Sequence, residues 1–433
     1  MGNLNVLPKK LTGSVKVPPS KSMAHRAVIC AALSNGVSKI TNIDFSDDMI
    51  ATIQAMESFG AKITKQTDEL EVIGIFHETA GKENQGENTI DCNESGSTLR
   101  FVIPISTLFP GPHRFIGRGK LGERPLDTYY KIFEQQGVAY QYREGELNLV
   151  VDGKLQSGLY EVEGNVSSQF ITGLLFTLPL LDGDSTIVIT TELESKGYID
   201  LTLSAMKDFG IEVVNNDYKE FFIKGKQKYK ARDYRVEADY SQAAFFLVAN
   251  ALKNEVVMHD LNLDSLQGDK EAIEILERMG MGLREKDGGF VGEADDRLIA
   301  TTIDGSQCPD IIPVISLAAA LSDGTTEIIN AGRLRIKESD RLHATTTELN
   351  KLGANITELE DGLVIEGVSQ LNGGVEVWSH KDHRIAMMLA IASTVCNEPI
   401  IIKDYEAVSK SYPNFWQHFK QLGGHFVEWN MGE

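Results

Sequence analysis

Six glycines recur through this 433-residue chain, each closing a segment of helical period. They stand in Phe59-Gly60-Ala61, Gln136-Gly137-Val138, Phe209-Gly210-Ile211, Met279-Gly280-Met281, Leu352-Gly353-Ala354 and Leu422-Gly423-Gly424, spaced 77, 73, 70, 73 and 70 residues apart. A glycine there reads as a helix stop, because the left-handed C′ position is cheap only without a Cβ. Upstream of each glycine lies a more uniformly apolar stretch, which predicts a buried helix: Ser22–Leu33, Thr98–Leu108, Phe170–Leu181, Gln242–Leu252, Ile311–Leu321 and Arg384–Val395. Downstream of five glycines come two short alternating runs, read as hairpins over Ile63–Val72, Val138–Val151, Ile211–Ile223, Met281–Val291 and Ile356–Ile365. The repeating unit is therefore buried helix, strand, amphipathic helix, glycine, strand, turn, strand.

The sixth unit stops at Gly424–Trp429, one strand short, while the N-terminus offers strand-like runs at Leu4–Leu7 and Gly13–Val17 before any helix. The first residues are expected to complete the last repeats. That predicts an α/β protein of two domains, residues 1–18 with 238–433 (repeats four to six) and residues 19–237 (repeats one to three). The chain would cross near Pro18 and near Val236. A period near 70 exceeds the roughly 20–45 residues of common solenoid units, so closed triplets fit better than an open array.

Lys and Arg number 42 against 62 Asp and Glu, a net charge of −20, so nucleic acid and acidic membranes are not expected partners. Any anion must be held by local clusters of cations. Cys30, Cys92, Cys308 and Cys396 have no C-x-x-C spacing, which suits a reducing compartment and neither a disulfide framework nor zinc. The first residues carry no signal or lipidation pattern, and Phe170–Leu181 is too short and interrupted to span a bilayer. A cytoplasmic, soluble chain is expected.

Cap-type residues precede every buried helix: Pro19-Ser20-Lys21-Ser22, Glu94-Ser95-Gly96-Ser97, Val166-Ser167-Ser168-Gln169, Ala238-Asp239-Tyr240-Ser241, Cys308-Pro309-Asp310 and Lys381-Asp382-His383-Arg384. They could be six ordinary caps. Helix N-termini also attract anions, and a quasi-symmetric fold would gather several on one face of each domain, the two faces forming a cleft. Lys21, Arg26 and Arg100 fall near such termini; Lys337, Glu338, Asp340 and Arg341 form one charged run, Asp382, His383 and Arg384 another, and Lys410 stands in Val408–Pro413. His380-Lys381-Asp382-His383 lacks a third ligand, so no metal is expected. Gly117-Arg118-Gly119-Lys120-Leu121-Gly122 lacks a nucleotide-loop ending and reads as a mobile basic loop.

Taken in order, Pro19-Ser20-Lys21-Ser22 with Arg26, Ser46-Asp47-Asp48, Gly96 with Arg100, Gly122-Glu123-Arg124-Pro125, Ser167-Ser168-Gln169, Ser195 with Tyr198, Asp310, Lys337–Leu342, Asp382-His383-Arg384 and Lys410–Pro413 resemble the enolpyruvyl transferases along nearly the whole chain. Among them the resemblance is to those acting on shikimate 3-phosphate. It implies a two-domain, pseudo-threefold fold of inverse α/β barrels, hinged at the crossings. It also implies transfer of the enolpyruvyl group of phosphoenolpyruvate to the 5-hydroxyl of shikimate 3-phosphate with release of phosphate, on the shikimate pathway to chorismate and aromatic amino acids. No cofactor or metal is implied, and a monomer is expected.

By the same resemblance, Lys21, Ser22, Arg26, Ser167, Ser168, Gln169, Ser195, Tyr198, Asp310 and Lys337 would hold shikimate 3-phosphate, with Tyr198 stacking on its ring. Lys21, Gly96, Arg124, Gln169, Arg341, Arg384 and Lys410 would hold phosphoenolpyruvate, Gly96 because a side chain would crowd that small substrate. Addition followed by elimination needs an acid and a base. Asp310 is assigned as base to the hydroxyl and Glu338 as proton donor and acceptor at the methyl carbon, with Lys21 as the rival acid. Two neighbouring cations would lower the Glu338 pKa, so a protonated role needs burial. Glu94 stands where the family usually has Asn, Gly197 where it has Pro, and Arg333 where some members use Asn. The sister enzyme acting on UDP-N-acetylglucosamine would carry Asn in place of Ser22 and a reactive Cys in Gly117–Pro125, where there is none. A phosphometabolite-binding protein without catalysis would not need both proton carriers. The herbicide glyphosate should compete at the phosphoenolpyruvate position.

Overall fold

The computed structural model describes residues 2–80, 87–143 and 145–429. It divides into two compact units, Pro19–Glu237 and Met1–Pro18 with Ala238–Glu433.

Within Pro19–Glu237 lie helices α1 (Lys21–Ala32), α2 (Asp47–Ser58), α3 (Gly96–Ser106), α4 (Asp127–Gln136), α5 (Ser168–Thr177) and α6 (Lys196–Asp208). Helices α1, α3 and α5 are the apolar ones and fill the core, whereas α4 buries only Thr128, Tyr129, Ile132 and Phe133. Three four-stranded sheets accompany them. Each begins with a parallel pair, as in Asn88–Asp91 beside His113–Ile116, and continues with an antiparallel pair, as in Asn148–Asp152 beside Ala139–Tyr142. Strand Glu69–Ile73 buries Leu70 and Val72 and turns alternate residues outward, the period that one covered face imposes.

The other unit repeats this plan with α7 (Tyr240–Ala251), α8 (Glu271–Arg278), α9 (Ile312–Ala320), α10 (Arg341–Lys351), α11 (His383–Ser393) and α12 (Phe415–Gln421). Helices α7, α9 and α11 pack against one another, and every residue of each is buried. The N-terminal strands serve two different repeats. Asn3–Leu7 lies between Ile400–Lys403 and His425–Trp429, with Asn5 facing both Ile401 and Val427. Thr12–Lys16 instead runs parallel to Glu255–His259 in the fourth repeat. Among the described residues no helix is long and apolar enough to cross a membrane.

Three expectations need correction. Each sheet carries a further short strand: Asn88–Asp91, Leu159–Val162, Thr302–Asp304 and Glu376–Trp378 precede their own buried helices, Tyr234–Arg235 fills that place in the first repeat's sheet, and Thr12–Lys16 fills it in the fourth's. Such runs are too short to show an alternating pattern. The segment Gly119–Glu123 is a 3₁₀ turn seated on buried Leu121, with Arg118 paired to Asp91 at 3.0 Å, so the basic loop has a defined place. Finally, side-chain caps close five of the six buried helices, through Ser20, Ser95, Ser167, Asp239 and Asp382. Helix α9 starts after Ile311 with no side-chain cap, which leaves Asp310 for other work. The hairpins form as expected, although Glu144, in the turn of the second, lies outside the described residues.

All six repeat glycines have positive φ, from 71° at Gly137 to 108° at Gly60. At Gly137 a Cβ would meet nothing within 4 Å, so only the backbone argues for glycine there. Gly137→Ala should therefore cost about 1–2 kcal/mol, the penalty of a left-handed Cβ. The check is urea denaturation, reading a lower midpoint; an unchanged midpoint would refute the stop-signal account.

Candidate functional site

In Pro19–Glu237 the helix N-termini are tied together by polar contacts. Lys21, the first residue of α1, pairs with Asp48 in the first turn of α2 at 2.8 Å. Thr98 of α3 donates to the Asp48 carbonyl at 3.3 Å and lies 2.7 Å from Thr52, which lies 2.7 Å from His25 Nδ1. Burial lowers the His25 pKa to about 3, so that imidazole is a neutral link between α1 and α2. Gln169 Nε2 donates to Ser97 Oγ at 2.9 Å, and Arg100 NH1 donates to Gln169 Oε1 at 2.9 Å, which joins α3 to α5. Arg26 is almost wholly buried and donates to the Ser22 and Tyr198 carbonyls and to Thr202 Oγ1, at 2.6, 2.9 and 2.9 Å, joining α1 to α6. Several positive helix ends thus share one end of this unit.

The sequence-predicted residues of this unit fall on that end, with some differences in role. Ser167 caps α5 through the Gln169 amide, and Ser168 opens the helix. Ser195, at φ 57°, precedes α6, in which Gly197 and Tyr198 occupy the first turn. Gly96 faces Arg124 and Gln169: a Cβ there would meet the tip of the Arg124 guanidinium and lie 3.7 Å from Gln169 Oε1. Arg124 Nε is buried without a hydrogen-bond partner. Glu94 lies against the backbone at Gly119, where a Cβ would come 2.8 Å from its carboxyl carbon. Cys92 is buried, and burial pushes its thiol pKa up, the reverse of a reactive cysteine.

In Ala238–Glu433 the partners are charged. Asp310 faces Arg341 NH1 at 2.9 Å, Arg384 NH2 at 3.4 Å and Lys337 Nζ at 3.5 Å. Arg341 also donates through Nε and NH2 to the two Asp382 oxygens at 2.8 and 3.2 Å, and Ser339 Oγ donates to Asp382 at 2.9 Å. Arg384 reaches the Ser241 carbonyl and hydroxyl on α7 at 2.9 and 2.7 Å. Lys410 donates to the Lys381 carbonyl at 2.8 Å. The start of α7, the residues before α9, the start of α10 and the cap of α11 are thereby one network. Lys337, Glu338, Arg341, Asp310, Arg384 and Lys410 are brought together, and Arg333 lies in the turn Gly332–Ile336 that leads to them.

Glu338 accepts from His383 Nδ1 at 2.8 Å. Burial alone would raise its pKa, but His383, through charge and hydrogen bond, with Lys410 and Arg341, holds it well below the usual carboxylate range. Burial likewise opposes ionisation of Asp382, yet Arg341 keeps its pKa below the usual value. Burial would lower the Arg341 pKa, but Asp382, Asp310 and Glu338 raise it. A third potential ligand near Asp382 and His383 does exist, and it is Glu338. However, His383 Nδ1 faces Glu338 and Arg341 holds both Asp382 oxygens, so these atoms already serve a charge network. His380 turns away to Glu348.

Sequence reasoning gave no role to Asp48, Ser241 or Ser339, and did not pair Glu338 with His383. A hydroxyl or acid in a helix's first turn beside a cap was the available signal. Carboxyls with depressed pKa values stabilise the fold above their unfolded values and lose that effect as pH falls through the folded ones. The melting-temperature gap between the unaltered chain and Asp382→Asn should therefore be widest near neutral pH and shrink below about pH 4. A gap constant from pH 3 to 7 would count against the network.

A family model described as EPSP synthase (3-phosphoshikimate 1-carboxyvinyltransferase) matches residues 7–419. The chain is similar to the 3-phosphoshikimate 1-carboxyvinyltransferase of Clostridium beijerinckii, 69% identical with all of both chains covered. It is also similar to that of Clostridioides difficile, 64% identical over the whole of each. Among solved structures, EPSP synthase from Acinetobacter baumannii superposes with a TM-score of 0.81 at 25% identity, covering 99% of this chain and 100% of that one. The enolpyruvyl transferase NikO from Streptomyces tendae shares the fold, with a TM-score of 0.80 at 15% identity and 99% of each chain covered. The repeated helix-and-sheet architecture is thus the enolpyruvyl transferase fold, and the chain belongs to the EPSP synthase family.

Proposed function

We infer that this chain transfers the enolpyruvyl group of phosphoenolpyruvate to the 5-hydroxyl of shikimate 3-phosphate and releases phosphate, a step toward chorismate and the aromatic amino acids. Family membership and relatives at 64–69% identity support the reaction. One observation supports the chemistry: two acids, Asp310 and Glu338, sit among Lys337, Arg341, Arg384 and Lys410 in a chain of net charge −20. The sister reaction on a nucleotide sugar is not favoured, since the only cysteine near the basic loop, Cys92, is buried.

The resemblance to the family supports the following roles. In Pro19–Glu237, Lys21, Ser22, Arg26, Ser167, Ser168, Gln169, Ser195 and Tyr198 take shikimate 3-phosphate. Lys21, Gly96, Arg124 and Gln169 act on phosphoenolpyruvate. In Ala238–Glu433, Arg341, Arg384 and Lys410 are assigned to phosphoenolpyruvate, and Lys337 and Asp310 to shikimate 3-phosphate. Planar guanidinium groups suit carboxylate and phosphate because they bind both oxygens at once.

In the addition step the substrate oxygen bonds to C2 of phosphoenolpyruvate, its proton passes to Asp310, and a proton is added at C3. In the elimination step the C2–O bond to phosphate breaks, a C3 proton returns to Glu338, and the proton held by Asp310 leaves with the phosphate. At rest Asp310 faces Lys337, Arg341 and Arg384. A bound phosphate gives Arg341 and Arg384 a second anion and frees Asp310 to accept the proton. Glu338 is ionised at rest, so its acid role requires a proton from outside, and His383 Nδ1 at 2.8 Å is the source at hand. Lys21, ion-paired with Asp48, is left to bind substrate. The protein acts without a resident metal or cofactor, and is proposed to be a cytoplasmic monomer.

Phosphate release from phosphoenolpyruvate should require shikimate 3-phosphate and fail with UDP-N-acetylglucosamine; the opposite preference would reverse the reading. Glyphosate should compete with phosphoenolpyruvate in the same assay. Glu338→Gln should lower kcat by about 10²–10⁴, the usual weight of a general acid–base group. Its affinity for shikimate 3-phosphate should stay within a few-fold, and equal losses in both would remove the acid–base role.

A further inference from the structure

Two consecutive non-glycine residues, His380 at φ 53° and Lys381 at φ 57°, adopt the left-handed conformation immediately before Asp382, His383 and Arg384. L-residues avoid that region, so the surrounding contacts must over-determine it. Those contacts converge on Glu348 of α10, whose side chain is 1% exposed. Its Oε1 accepts from His380 Nε2 at 2.8 Å, and its Oε2 accepts from the Trp378 amide at 2.9 Å. Lys351 donates to both oxygens, at 3.0 and 2.9 Å. Burial opposes ionisation of Glu348, but the hydrogen bonds from His380, Lys351 and the Trp378 amide hold its pKa below the usual carboxylate value.

The anchor extends in both directions. The Trp378 and His380 rings stack with centroids 4.2 Å apart, and Trp378 Nε1 donates to Asp404 at 2.9 Å. Ser379 Oγ accepts from the Lys381 amide at 3.1 Å and donates to the Asp404 carbonyl at 3.0 Å. On the far side of the turn, the Lys381 carbonyl receives Lys410 Nζ. Glu348 lies seven residues after Arg341, two turns along the same face of α10. That helix thus grips the segment at two points: Arg341 on Asp382, Glu348 on Trp378 and His380.

We propose that Glu348 and His380 are positioning residues, which lock the left-handed turn His380–Lys381 and so aim Arg384 and Lys410 at phosphoenolpyruvate. Neither touches substrate. The proposal rests on the functional reading above, in which those two cations bind that substrate. Loss of the lock should weaken phosphoenolpyruvate binding and leave shikimate 3-phosphate binding largely alone.

The experiment compares steady-state kinetics of the full chain with Glu348→Gln, His380→Ala and His380→Gln. Gln at 348 turns an amide N–H₂ toward groups that need acceptors, and Ala at 380 removes one donor. Both should raise KM for phosphoenolpyruvate about tenfold, leave KM for shikimate 3-phosphate within twofold, and keep the melting temperature within a few degrees. His380→Gln retains an N–H for Glu348 and should stay within threefold of the unaltered chain. An unchanged KM for phosphoenolpyruvate, equal rises for both substrates, or a Gln variant as poor as the Ala variant would each overturn the proposal. Should Glu348→Gln not fold, the two His380 variants decide alone. Turnover by the unaltered chain tests the functional reading separately. Calorimetric binding of glyphosate, which should take the phosphoenolpyruvate position, with shikimate 3-phosphate present, gives the same variant comparison without turnover.

Discussion

A guanidinium withdrawn from water must be met by carboxylates, and Arg341 is the group on which the Ala238–Glu433 unit turns. It is 2% exposed and holds both oxygens of Asp382, which is itself fully buried, and one oxygen of Asp310. Removing either partner from such an arrangement costs about 3–5 kcal/mol, because a stranded buried charge remains. Asp382 caps α11, so the pairing fixes where that helix begins and hence where Arg384 stands. Arg384 in turn reaches α7 through Ser241. A chain of unfavourable overall charge can keep cations clustered because each is held by a carboxylate or carbonyl of known address.

The two units use one architecture for different chemistry. In Pro19–Glu237 the helix ends are joined mainly by hydroxyls, amides and two arginines directed at carbonyls, a donor-rich lining with Asp48 held against Lys21. In the other unit the equivalent ends carry Asp310, Glu338, Asp382 and His383 among cations, where protons can be exchanged. Threefold repetition supplies the frame; the residues at the helix starts differ from one unit to the other.

Much of this was legible because a repeated backbone demand leaves a repeated residue. The six stop glycines, the apolar helices and the hairpins are local patterns, and the sequence carries them openly. The strand before each buried helix was not legible, since three or four residues beside a cap show no period. Nor was the destination of Thr12–Lys16, whose partner Glu255–His259 is more than 200 residues away. At the site, residue types were legible but pairings were not. Asp310 has the letter of a cap and is none, because α9 begins only at Ile312 with Pro313 in its first turn. That Gly96 would neighbour the Arg124 guanidinium had no signal in the sequence, since 28 residues separate the two. Which acid meets which base depends on contacts between repeats, and those exist only after folding.

The placement of Asn3–Leu7 between Ile400–Lys403 and His425–Trp429 sets an order on biosynthesis. A ribosome delivers Asn3–Leu7 long before Ile400–Lys403 and His425–Trp429, its two neighbours. Pro19–Glu237 has every strand of its three sheets within its own limits and can finish while the rest is still being made. Asn3–Leu7, with its alternate apolar residues Leu4 and Val6, must wait for both neighbours before it can pair as it does in the fold. Its brevity, five residues followed by Pro8 and two lysines, is what keeps such a waiting edge from seeking a foreign partner.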